Sequence, residues 1–361
     1  MSAEELAKKR RIVWLDVLRV LSAFAIVFLH TSSVYLDGLV SYGTFNWFGA
    51  DLYLAASRYA VPVFVMISGV FFLNPGKDIT IKNIYGKYVW RMLTVLLGWA
   101  LIRTVVAGAA LDGVPDGAWA SSFFTSVKIY WFLPMIIGLY LFTPVLRAMT
   151  ALHGRKLLIY FMVLSVVLAM CVPVAEGIEL YYFPKAVPVT DFTNLIKLPC
   201  LIFGAHFVFG YYAYTYDVSR RAKTALYASA VAAWLLMAAG SYVFFKEPAS
   251  KMFFFSMHGA SLSPLTFLTG AAVFVFCKDR LGRIDFSAAV ASFIRRLAYY
   301  SLGVYMLHII LVETAVHFGL FNYVNFVPVV MIPLVALVIF IVSNAVIAGL
   351  YKMTWFRRYF L

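Results

Sequence analysis

Three ionisable side chains, Asp16, Arg19 and His30, interrupt the first long apolar run of the chain, and their spacing makes them a single stripe. On a helix, Arg19 and His30 stand eleven residues apart and fall within roughly 20° of one face, which Asp16 joins three residues before Arg19. At a rise of about 1.5 Å per residue, Arg19 lies about 10 Å and His30 about 27 Å beyond a helix start at Ile12. A guanidinium in that setting can hold a phosphate or pair with Asp16, and a neutral imidazole can take up a proton at physiological pH. The plainer alternative is an Asp16–Arg19 pair that only sets the orientation of the helix, with His30 hydrogen-bonded to a neighbouring helix.

Other polar residues fall in apolar surroundings. Arg58 follows Asp51 by one helical repeat, so the two can pair. Arg91 and Arg103 are twelve residues apart, and Arg91 follows the basic residues Lys82 and Lys87. Arg91 is therefore placed to meet an anionic ligand, or equally to snorkel to lipid phosphate. His308 and Glu313 are five residues apart, on different sides of a helix, so each needs a partner on another helix. His206 and His258 lie nearer the ends of apolar runs, where a hydrogen-bonded or solvated imidazole is expected. Tyr130-Trp131 has the look of an interfacial aromatic belt. Cys171, Cys200 and Cys277 are far apart and form neither a disulfide framework nor a metal site.

The elements that must position these groups are membrane-spanning helices. Of 361 residues, 63% are hydrophobic and only 13% charged, with a mean hydropathy of +0.88. Soluble domains are roughly 45–50% apolar, so an ordinary soluble globular protein is excluded. Most apolar runs reach the ~20 residues that a hydrocarbon core of ~30 Å requires. They predict an all-α, polytopic protein with ten spans at about 12–36, 48–73, 83–108, 128–149, 156–173, 195–215, 223–245, 258–277, 294–316 and 327–351. Prolines 62, 134, 144, 199, 264 and 333 are expected to kink these helices. Lys8-Lys9-Arg10-Arg11 before the first run imitates a secretory signal, but the run is too long and carries internal charge, so it reads as a retained span. Inside a bilayer each charged group costs at least about 2.5 kcal/mol, which makes every intramembrane ionisable residue a candidate for function.

With the amino terminus in the cytoplasm, 21 of the 30 Lys and Arg residues fall on predicted inner segments, four on outer ones and five in or beside spans. That bias predicts both termini inside. The net charge of +14 is spread between apolar runs rather than gathered on a soluble face, which argues against a nucleic-acid partner. The longest outer segment runs from about Val174 to Asn194 and holds Tyr181-Tyr182-Phe183-Pro184. No internal repeat is evident, and no P-loop, GxGxxG, HExxH or GxSxG motif occurs.

Trp14-Leu15-Asp16-Val17-Leu18-Arg19, ten further residues and then His30 resemble the Arg-x10-His signature that opens the acyltransferase-3 family of membrane O-acyltransferases. Arg58 with Val61-Pro62-Val63-Phe64-Val65-Met66-Ile67-Ser68-Gly69 is similar to its second-helix segment. Tyr130-Trp131-Phe132-Leu133 and Tyr300-Ser301-Leu302-Gly303-Val304-Tyr305-Met306-Leu307-His308 resemble two later motifs, in order and spacing. The likeness leans toward the branch that contains the enterobacterial common antigen and polysaccharide O-acetyltransferases.

The resemblance implies a ten-helix core that passes an acyl group, usually acetyl, from cytoplasmic acetyl-CoA to a hydroxyl of a cell-surface or lipid-linked glycan. It implies a bacterial inner-membrane setting among membrane lipids, acetyl-CoA as co-substrate without a permanently bound cofactor, and one membrane domain over 1–361 without the appended SGNH esterase-like domain of longer members. His30 and Arg19, with Asp16, are then the catalytic residues, and Arg91, Lys87 and Arg19 hold the acyl-CoA. Arg58, Trp131, Glu313 and His308 are candidates for the acceptor side. His30 would act as a general base or as a transient acyl carrier. Two rival readings are a transporter or flippase that moves a glycan or lipid-linked sugar without forming a bond, and an enzyme of the same class with another donor such as succinyl-CoA. If Arg19 works through its planar fork, Arg19→Lys is expected to lose most activity in a CoA-release assay, and full activity in that variant would remove the geometric argument.

Overall fold

The computed structural model describes residues 3–110, 117–152, 154–171, 174, 203–244, 263–323 and 327–360. Among these residues the regular structure is helical and contains no strand. The principal helices are α1 (Ala3–Val34), α2 (Phe45–Ser57), α3 (Ala60–Phe72), α4 (Trp90–Ala110), α5 (Trp119–Ile129), α6 (Phe132–Leu152) and α7 (Gly154–Val166). They are followed by α8 (Gly204–Thr215), α9 (Arg220–Phe244), α10 (Pro264–Leu281), α11 (Ala288–His317), α12 (Pro328–Leu350) and α13 (Thr354–Tyr359). Short π-helical stretches follow α1 and α7 and precede α4.

Eight helical runs among the described residues are long and apolar enough to cross a membrane: Val13–Leu39, Phe45–Phe72, Ile81–Gly108, Phe132–Thr150, Gly154–Cys171, Arg220–Tyr242, Ala288–His317 and Pro328–Leu350. The chain is thus an all-α, multi-pass membrane protein. Of the remaining two expected spans, the described parts are the twelve residues of α8 and the eighteen of α10. The long segment after Val174, Pro199, Cys200 and His258 lie outside the described residues.

Two expected spans differ from their sequence outline. The run 48–73 is not one helix but two, α2 and α3, parted by a turn at Arg58-Tyr59. Pro62 is the cause, since it has no N–H to offer the Arg58 carbonyl and its ring would collide with that oxygen in a continuous helix. The helix restarts with Val63 N–H donating to the Tyr59 carbonyl at 3.0 Å. Ahead of α6, the residues Trp119–Ile129 form the separate helix α5, and Tyr130-Trp131 is the turn between them. Of the prolines expected to kink helices, Pro62 and Pro134 stand in the first turns of α3 and α6 and Pro264 opens α10, where no intrahelical N–H is needed; Pro144 and Pro333 lie inside α6 and α12. Ser263 and Ser287 cap α10 and α11 by accepting from the Thr266 and Val290 amides.

The helices gather into two compact units. The first comprises 1–22, 55–79 and 142–286, and the second 23–54, 80–141 and 287–361. In the first unit the buried core includes Trp14, Leu18, Met66, Ile67, Phe274 and Cys277. Trp14 meets Phe274 edge-on at 5.4 Å. Helices α3 and α8 touch backbone to backbone: a Cβ on Gly69 would stand 1.8 Å from the Phe207 carbonyl oxygen, and one on Gly210 1.9 Å from that of Met66. Glycine at both contact points permits this approach, the small-residue packing that membrane helices favour. In the second unit the core includes Trp47, Trp99, Tyr130, Met306 and Ile332. There Trp99 Nε1 donates to the Phe360 carbonyl at 2.8 Å, tying α4 to the residue after α13.

Gly210→Ala is expected to destabilise the protein by at least the ~1–3 kcal/mol typical of overpacking, because the colliding atoms are backbone and cannot rotate away. Thermal unfolding in detergent measures this, with Gly138→Ala as the comparison, since a Cβ at Gly138 meets no atom within 4 Å. Equal melting of the two variants would contradict the close approach.

Candidate functional site

In the second unit, His30 of α1 and His308 of α11 come together, with ring centres 5.2 Å apart and planes tilted by 45°. His308 is 2% exposed, whereas His30 is half-buried. His308 Nδ1 lies 3.1 Å from the Val304 carbonyl oxygen, an atom that can only accept, so Nδ1 carries the proton. The other nitrogen, Nε2, is then an acceptor in the neutral ring, and it is buried without a hydrogen-bond partner among the described residues. Tyr305 packs one turn earlier, 5.8 Å from His308, and Phe132 packs on Tyr305 at 5.4 Å. The buried Tyr130 hydroxyl donates to the Met306 carbonyl at 2.9 Å. Tyr130 is 1% exposed and belongs to the core rather than to an interfacial belt.

Next along α11, Glu313 is gripped by Arg103 of α4. Nε donates to one carboxylate oxygen at 2.9 Å and Nη2 to the other at 2.7 Å. The remaining Nη1 donates to Ser126 Oγ of α5 at 2.9 Å, and that hydroxyl shares a 3.0 Å hydrogen bond with Thr104. The planar fork matches the carboxylate, and at 13% and 28% side-chain exposure the pair is largely removed from solvent. His308 and Glu313 thus each find a partner on another helix. Because both oxygens of Glu313 are engaged, it acts here as the anchor of α4, α5 and α11.

In the first unit, Arg19 Nη1 lies 3.7 Å from Asp16. Its guanidinium also stacks over the Phe71 ring, 4.9 Å from the centre, and Lys77 Nζ approaches the same ring to 4.2 Å. Arg147 of α6 fixes the chain beside them, donating from Nη1 to the carbonyls of Phe72 and Asn74 and from Nη2 to that of Lys77, at 2.8–2.9 Å. Burial and the charge of Arg19 both hold the Lys77 ammonium below the usual lysine range.

The other expected residues are placed more simply. Arg58 is half-buried in the turn between α2 and α3, Arg91 is exposed near the start of α4, and Trp131 is half-buried beside Tyr130. Lys87 lies in the π-helical stretch before α4 with its ammonium 5.5 Å from the Tyr88 ring centre. His206, expected to be hydrogen-bonded or solvated, is instead fully buried, and neither ring nitrogen is hydrogen-bonded among the described residues. It packs between the rings of Phe203 at 5.5 Å and Phe267 at 5.2 Å. Lys77, Phe71, Ser126 and Tyr305 escaped individual notice in the sequence. Arg103 carried a usable signal, because a lone acid in α11 demands a cation and Arg103 was an unassigned one.

The model of a family described as an acyltransferase domain, the acyltransferase-3 family, matches residues 12–350. No curated protein and no solved structure gave a match.

Removing one partner of a buried ion pair strands the other charge and costs ~3–5 kcal/mol, whereas replacing both with apolar groups is often neutral. Arg103→Met is therefore expected to lower the thermal stability more than Arg103→Met combined with Glu313→Leu. If the double variant melts below the single one, the pair is not the anchor described.

Proposed function

Since the chain belongs to the acyltransferase-3 family, we propose that it is a membrane O-acetyltransferase, moving an acetyl group from cytoplasmic acetyl-CoA to a hydroxyl of a cell-surface or lipid-linked glycan. The observation that carries the catalytic assignment is the contact of His30 with His308. An imidazole acting as a general base must be held in one tautomer with its free nitrogen toward the proton it removes. His308 supports such a role, because its Nε2 is a buried acceptor without a hydrogen bond among the described residues and its ring lies 5.2 Å from that of His30, so that an N–H of His30 directed at it would fix the His30 ring. His30 then offers its other nitrogen to the acceptor. It takes the hydroxyl proton as the oxygen attacks the thioester carbonyl. The carbon–sulfur bond breaks, and the coenzyme A thiolate leaves and regains the proton from the imidazolium. A covalent acetyl-imidazole on His30 is the alternative course.

Arg91 and Lys87, on and before α4, are assigned to the donor together with Arg19, which Asp16 orients, and Arg58 and Trp131 to the acceptor. The excess of Lys and Arg on the predicted inner segments supports cytoplasmic termini and a donor entering from that side. A bacterial inner membrane follows from the same reading.

His30→Ala is expected to lower acceptor-dependent CoA release by about 10²–10⁴-fold, the usual worth of a general base. His308→Ala should cost at least about tenfold through the lost orientation of His30. Undiminished CoA release in His30→Ala would overturn the assignment, as would glycan movement without CoA release in reconstituted vesicles. Incubation with radiolabelled acetyl-CoA alone, without acceptor, separates the two courses, since only the covalent one leaves label on the protein. Mass spectrometry of host polysaccharides with a His30→Ala allele should show the loss of an acetyl mass.

A further inference from the structure

Two cations share one aromatic ring in the first unit: Arg19 Cζ and Lys77 Nζ both lie within 5 Å of the centre of Phe71. Each contact is attractive, but two like charges less than ten ångströms apart repel by a similar amount at an effective dielectric constant of about 20. The attraction of the ring therefore does not explain why both cations are kept there. Asp16 offsets part of the charge on Arg19, at 3.7 Å. Lys77 is exposed, with no hydrogen bond from Nζ and no ion pair among the described residues, and its ammonium packs on Phe71.

The position of Lys77 is nevertheless fixed in advance. Arg147 holds the carbonyls of Phe72, Asn74 and Lys77 itself, and the Asn74 side-chain oxygen accepts from the Gly76 amide at 2.9 Å. A segment bolted down on both sides of its turn presents the lysine without the entropy cost of ordering a free loop. Burial first, and then the charge of Arg19, lower the proton affinity of Lys77.

We infer that Lys77, Phe71 and Arg19 form a clamp for a phosphate oxyanion, and that the phosphate is one of those on the coenzyme A of the acyl donor. Lys77 supplies a point charge with three N–H donors and Arg19 a planar fork, a combination suited to a phosphate ester. Phe71 packs against both cations. Arg147 is a positioning residue, acting through the backbone it holds. The choice of coenzyme A rests on the acyl-CoA reading above; the same chemistry could be met by a phospholipid headgroup.

The test uses the full-length protein in phosphatidylcholine nanodiscs, with acetyl-CoA and S-acetylpantetheine, which lacks the phosphates, as alternative donors. Lys77→Ala is expected to raise the KM for acetyl-CoA at least about tenfold with little change in kcat, while the KM for S-acetylpantetheine shifts less than about twofold. Lys77→Arg should recover most of the loss. Equal shifts for both donors, or none for either, overturn the clamp. Equilibrium dialysis of radiolabelled CoA against wild type and Lys77→Ala separates this idea from the acyl-CoA reading. CoA binding that depends on Lys77, without acetyl transfer in the wild type, supports the clamp and removes that reading; transfer and binding indifferent to Lys77 remove the clamp and leave the reading standing. Repeating the dialysis with phosphatidylglycerol added identifies the source of the phosphate. Binding of anionic lipid that depends on Lys77, with CoA binding that does not, overturns the coenzyme assignment.

Discussion

A polar group placed in hydrocarbon has no water to fall back on, and that single condition organises most of the polar contacts in this protein. Arg103 and Glu313 satisfy it with a forked pair joined to Ser126 and Thr104. Arg147 satisfies it by turning its donors onto three backbone carbonyls. Hydroxyls do so within their own helices, as when Thr31 donates to Val27 and Ser68 to Phe64 one turn back. These contacts cost little sequence, but they decide which helices must meet.

Against that background the imidazoles stand out by what they leave unused. His308 spends Nδ1 on its own helix and leaves Nε2 dry and unpartnered, and His206 leaves both nitrogens so. The difference lies in the neighbours. His206 is boxed by the rings of Phe203 and Phe267, where a neutral imidazole serves as a flat aromatic. His308 instead packs against a second imidazole, that of His30, which is only half-buried. Burial alone does not mark a candidate for chemistry; burial beside a titratable partner is the feature that supports the proposed role of His30.

Much of this was legible in the sequence because length and apolar content are properties of single segments. The eight spans, the pairing of Asp16 with Arg19, and the need of His308 and Glu313 for partners elsewhere all follow from spacing along one helix. The partners themselves did not, since Arg103 and Glu313 are 210 residues apart and periodicity carries no record of which helix faces which. Tyr130 was misjudged for a similar reason: a tyrosine beside a tryptophan at the edge of an apolar run has the same composition whether it faces lipid or the Met306 carbonyl. The break at Arg58-Tyr59 was open to sequence reasoning, because Pro62 sits four residues after the carbonyl it cannot serve.

The grip of Arg147 on residues 72–77 also has a place in time. A ribosome adding about 5–20 residues per second releases Lys77 several seconds before the guanidinium that will bind its carbonyl, 70 residues downstream. During that interval the carbonyls of Phe72 and Lys77 lack this donor, and the Asn74 carbonyl has the Lys77 amide at 3.2 Å. The turn therefore takes its final shape when α6 arrives, and the lysine is set in position by a helix made after it.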